Sequence, residues 1–288
     1  MNLLKENTRF FFVVTSEDTL LQRFADDFIN AGLVSLNKIG FPEGHITVVS
    51  DTSADDLQNK YGFRSTLNYI DSSQLLSSIG DIDCDNLIIV SSCHGNSRID
   101  YGFDSKTKIQ PFPFLSAIKN NQHIKNTLVM FGQCYCGIFN YSQVECDDKS
   151  IVYMGAAGMN ESSSVSGLTF HGKPINWMAN IAVWAFFEWL SNPIDVDGDN
   201  RTTAMDLYKY ISYVVLKTND LIEHNSYAVW LQKHKLHDEK MEKADKTDTA
   251  LLKSLNDELS KINTEYILPR QLPWILNPSG ALNMSVEY

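Results

Sequence analysis

The chain is short of basic residues, of paired cysteines and of long apolar runs, and each shortage excludes a class of protein. Against 35 Asp and Glu stand 24 Lys and Arg, for a formal net charge of −11. A phosphate-binding face needs clustered cations to displace counterions, so nucleic acid is not an expected partner. The five cysteines, Cys84, Cys93, Cys134, Cys136 and Cys146, form an odd set with no C-x-x-C pair. That pattern is neither a disulfide framework nor a zinc knuckle, and it fits free thiols in a reducing compartment. The longest apolar stretch, "INWMANIAVWAFFEWL", is interrupted by Asn180 and Glu188 and falls short of the roughly 20 residues that span a bilayer. It reads as a buried helix, and no membrane partner is expected. The first residues, "MNLLKENTRFFFVVTSEDT", lack a basic patch followed by an apolar segment and a small-residue cleavage site, so the expected location is the cytoplasm. Internal repeats and low-complexity tracts are absent.

What is present is a 43% hydrophobic chain of 288 residues, enough for one large core. "RFFFVVTSE", "GFPEGHITVVSD", "NLIIVSS", "TLVMFGQ" and "SIVYMGAAG" read as strands. Between them lie helical patterns, in "TLLQRFADDFINAGL", "SSQLLSSIG" and "FPFLSAIKNN". Strands that are apolar throughout, instead of alternating, are covered on both faces, and alternation with helices implies parallel crossovers. The expected fold class is α/β: a three-layer α/β/α sandwich on a mostly parallel sheet, with a C-terminal helical extension. The expected division is an α/β domain at 1–230, a charged helical insertion at 231–265, and a tail at 266–288 that packs back. The mixed-sign segment 232–264 reads as a solvated hairpin able to meet a partner protein.

In parallel sheets, functional groups gather beyond the carboxyl ends of the strands. His94 and Cys134 each follow an apolar strand, 40 positions apart. A thiol and an imidazole delivered side by side suit nucleophilic attack on a carbonyl, with the imidazole handling the proton that must reach the leaving amine. Backbone N–H groups of Gly95 and Cys134 are the natural donors to the resulting oxyanion. Taken singly, each residue has a plainer reading, Cys as a small core residue and His as a hydrogen-bonded structural one.

The pair resembles the signature of the caspase and legumain group of cysteine peptidases, in which one apolar strand ends in His-Gly and another in a small residue and Cys. "QCYCGIF" is most similar to bacterial legumain-family proteins, whose nucleophile is followed by Tyr, a small residue and Gly. The resemblance implies Cys134 as nucleophile, His94 as its partner and a packing role for Cys136. It implies a protein or peptide substrate and a chemistry that requires no cofactor. "IVYMGAAGMNESS" is similar to the strand and loop bordering the substrate cleft, which makes Glu161, Ser162 and Ser163 the candidate substrate-binding residues. The chain departs from legumain at Gly132, where an acidic residue would stand, and from caspases at Tyr135, where Arg would stand, so neither asparagine nor aspartate preference follows. A catalytically inactive scaffold module and a transpeptidase using the same thiol are the alternatives.

A second motif, "DVDGDNRTTAMD", sets Asp195, Asp197 and Asp199 at the 1, 3, 5 spacing of an EF-hand loop, with Arg201 at position 7, Thr203 at 9 and Asp206 at 12. It is the expected site for Ca2+. Position 6 is Asn200 where such loops have Gly, and Asp206 is shorter than the usual bidentate Glu.

Overall fold

β1 (Thr8–Val14) shows why both sheet faces are covered. Phe10, Phe12 and Val14 point into one apolar cluster, and Phe11 and Val13 into a second one on the opposite face. The computed structural model describes residues 7–15, 19–55, 66–95, 108–160, 162, 164–165, 168–170, 173–175, 179–266 and 271–286. Two compact units emerge: Met1–Val215 with Gln271–Tyr288, and Leu216–Arg270.

In the first unit, β1 is followed by α1 (Thr19–Lys38), β2 (Ile46–Ser50), β3 (Asn68–Asp71), α2 (Leu75–Asp81), β4 (Asn86–Ser91) and α3 (Pro111–Asn120). β5 (Asn126–Phe131), β6 (Ser150–Gly155), α4 (Ile181–Leu190), the start of α5 (Ala204–Lys243), β11 (Trp274–Leu276) and α7 (Pro278–Asn283) complete the frame. Between β6 and α4 lie two small antiparallel pairs. β7 (Ser164–Val165) pairs with β10 (Ala179–Asn180), and β8 (Leu168–Phe170) with β9 (Lys173–Ile175). The main sheet has seven strands in the order β11-β6-β5-β4-β1-β2-β3. All neighbours are parallel except β11, which runs antiparallel to β6.

Residues of α1, α4 and α5 join the first apolar cluster, and those of α2 and α3 the second. The fold is therefore a three-layer α/β/α sandwich. Aromatic packing anchors both layers: Phe12 meets Phe28 edge-on at 5.5 Å, and Phe131 stacks on Phe139 at 4.0 Å. Polar side chains set the register at the strand starts. Asn126 Nδ2 donates to Asn86 Oδ1 at 2.7 Å, and Asn86 Nδ2 to Thr8 Oγ1 at 3.3 Å, all three residues being buried. A one-residue slip would leave these amides without partners in an apolar setting.

Two helices have bounds other than those the sequence suggests. The helix of the long apolar stretch begins only at Ile181, because Asn180 caps it by accepting Val183 N–H at 3.2 Å. α5 runs for 40 residues into the charged region. In the second unit it turns back as α6 (Thr249–Tyr266), with Lys240 and Glu258 paired at 2.6 Å and buried His237 hydrogen-bonded to Leu255 O at 2.9 Å. Among the described residues no helix is long and apolar enough to cross a membrane.

Candidate active site

β4 and β5 are neighbours, paired from Asn86↔Asn126 to Ser91↔Phe131. That offset of 40 equals the separation of His94 and Cys134 (134 − 94), so the two residues leave the sheet at the same height. Two contacts bind the exits together. Ser91 Oγ donates to Gln133 Oε1 at 2.6 Å, and Gly132 N–H donates to Ser91 O at 2.9 Å. Beyond them, Gly95 lies directly on the backbone of Cys134: a Cβ there would fall 1.5 Å from the Cys134 carbonyl oxygen. Only glycine fits this approach. His94 is exposed and Cys134 is half-buried.

The chain turns sharply after the sulfur. Tyr135 takes a left-handed conformation with φ 55°, uncommon for a residue with a side chain. Its N–H donates to Asn160 O at 2.8 Å, and Gly137 N–H donates to Gly158 O at 3.1 Å. A Cβ on Gly137 would meet Gly158 carbonyl carbon at 2.6 Å, so this turn and the loop after β6 are pressed together. Cys136 faces inward, fully buried, its sulfur between Ala157 N at 3.3 Å and Ala157 O at 3.0 Å. Burial pushes its thiol up to about 12, and Cys84 up to about 12 for the same reason. Burial also raises the Cys93 thiol, which has Thr15 as a hydrogen-bond partner. Inert packing thiols behave in this way.

Ser162 alone of the three candidate substrate-binding residues is described; Glu161 and Ser163 lie outside the described residues. Ser162 N–H donates to Cys134 Sγ at 3.2 Å, and Ser162 O lies 3.7 Å from the same sulfur. Its hydroxyl accepts from Asn180 Nδ2 at 2.7 Å and from Gln271 Nε2 at 3.4 Å. Neither amide was singled out from the sequence. Asn180 carried a signal, a helix-capping residue ahead of an apolar run, whereas Gln271 carried none. An open cleft of about 740 Å³ is walled by Phe112, Leu115, Lys119, Ile138, Tyr141 and Met159, and neither Cys134 nor Ser162 lines it.

The acidic loop lies elsewhere. Asp195, Asp197 and Asp199 bring carboxylate oxygens within 4.8 Å of one another. Each also accepts backbone N–H groups of the loop: Asp195 from Gly198 and Asn200, Asp197 from Asp199, and Asp199 from Arg201. The Lys209 ammonium pairs with Asp197 and holds its carboxyl below the usual range. Asp206 turns inward, with one oxygen accepting Val196 N–H at 2.8 Å and the other Thr203 N–H and Oγ1 at 2.9 Å. The Arg201 guanidinium donates to Leu282 O at 2.8 Å.

No family model matches the chain, and no curated protein matches it. Among solved structures the chain is similar to caspase-1 from Spodoptera frugiperda, at 10% identity and a TM-score of 0.45, over 96% of this chain and 88% of that one.

Proposed function

We propose that the protein is a cysteine endopeptidase of the caspase and legumain type, with Cys134 as nucleophile and His94 as proton carrier. The observation that supports it above all others is the close packing of Gly95 on the Cys134 backbone, which joins two strand ends of matching register. In this reading the Cys134 thiolate attacks the scissile carbonyl carbon. The oxyanion that forms is met by the N–H groups of Gly95 and Cys134. His94 then protonates the leaving amine, the acyl-thioester remains on Cys134, and water activated by His94 releases the acid. Ser162 borders the residue before the scissile bond.

Cys134→Ala is expected to reduce peptide cleavage to background while the melting temperature stays within a few degrees of wild type. His94→Ala is expected to lose about 10²- to 10⁴-fold in kcat, the usual contribution of a positioned acid–base group. Peptide-library cleavage followed by mass spectrometry checks both, and cleavage retained by Cys134→Ala removes the assignment.

A further inference from the structure

Two buried amides stand behind the loop that touches the sulfur. Asn180 and Gln271 are 7% and 1% exposed. The first turn of α4 orients both: Val183 N–H donates to Asn180 Oδ1 at 3.2 Å, and Ala182 N–H to Gln271 Oε1 at 2.8 Å. Because each oxygen must face an N–H group, each NH2 is turned toward the Ser162 hydroxyl. The Asn180 amide spends its other N–H on Gly132 O at 2.5 Å, two residues before the nucleophile. Asn180 thus ties the segment between β5 and Cys134 to Ser162.

We infer that Asn180 and Gln271 are positioning residues for the thiol: they fix the Ser162 hydroxyl so that Ser162 N–H stays aimed at Cys134 Sγ and supports negative charge there. The inference rests on the reading of Cys134 as the nucleophile. An N–H aimed at sulfur is attracted more strongly to the thiolate than to the thiol, and at 3.2 Å it is the closer of two opposed contacts, the other being the 3.7 Å donation of the thiol to Ser162 O, so the pair favours the reactive form. A loose Ser162 would lose that aim without any change at Cys134 itself.

The test measures iodoacetamide alkylation of Cys134 against pH in the full chain, read at its own peptide by mass spectrometry. Ser162→Ala and Asn180→Ala are each expected to raise the midpoint by about one pH unit, which slows alkylation at neutral pH roughly tenfold. Ser162→Thr, which keeps the hydroxyl, is expected to restore the wild-type profile. Continued protection of Cys84 and Cys136 reports an intact fold. If loss of the helix cap unfolds Asn180→Ala, the Ser162 pair decides. A Ser162→Ala profile that coincides with wild type overturns the inference. No peptide substrate enters this measurement, so a shifted profile in a chain that cleaves nothing upholds the positioning role and removes the peptidase reading instead.

Discussion

Gly95 has no side chain because the carbonyl oxygen of Cys134 occupies the place where one would stand. Gly95→Ala must push the two strand ends apart. The expected outcome is a loss of about 1–3 kcal/mol in urea unfolding, the usual cost of overpacking. Tyr153 makes the opposite case. It is wholly buried among Phe114, Phe131 and Phe139, and its hydroxyl has no hydrogen-bond partner among the described residues. Tyr153→Phe removes that unsatisfied group, and the unfolding free energy is expected to rise by about 1 kcal/mol in a urea titration. At this scale the position of His94 and Cys134 just past two strands was legible, because each follows an apolar run. Asn180 and Gln271 were not legible as partners of Ser162, because their roles depend on hydrogen bonds across 18 and 109 positions. No periodic pattern carries such a link.

Among the elements, β1, β2, β4, β5 and β6 follow directly from continuous apolar runs. β3 and β11 do not. The first is an edge strand, "NYID", only partly buried, and the second is three residues, "WIL", between proline and asparagine. Neither is long or apolar enough to stand out. The helical character of the charged segment was legible, whereas the unbroken run of α5 from Ala204 to Lys243 was not, since the change from apolar to mixed charge near residue 231 looks like a boundary. Its N-terminus is held by a reciprocal cap: Thr203 Oγ1 accepts Met205 N–H at 3.2 Å, and Asp206 accepts Thr203 N–H at 2.9 Å. Asp206 also holds Val196 N–H, which anchors the acidic loop to the helix. Asp206→Ala is therefore expected to cost about 1–2 kcal/mol, seen as a lower thermal unfolding midpoint.

For the molecule as a whole, the buried thiols predict alkaline weakness. Cys84 and Cys136 are held neutral to about 12 in the fold, against an ordinary value of 9. A raised folded value contributes stability in full below pH 9 and loses it as pH climbs toward 12, because the unfolded chain ionises first. Urea midpoints measured under reducing conditions are expected to fall between pH 9 and 11, and to fall less in Cys136→Ala. Taken alone, the order of residues determined that a parallel sheet forms with helices on both faces, since uninterrupted apolar strands must be shielded on each side. It also determined that a thiol and an imidazole lie just past two strand ends. Tertiary structure alone decided that those strands are neighbours in a register of 40, that Gly95 abuts Cys134, and that Ser162 reaches the sulfur from a loop held by distant amides. The physical reason is that burial is written into local composition, whereas the choice of partner arises only when segments far apart in the chain compete to satisfy each other's hydrogen bonds.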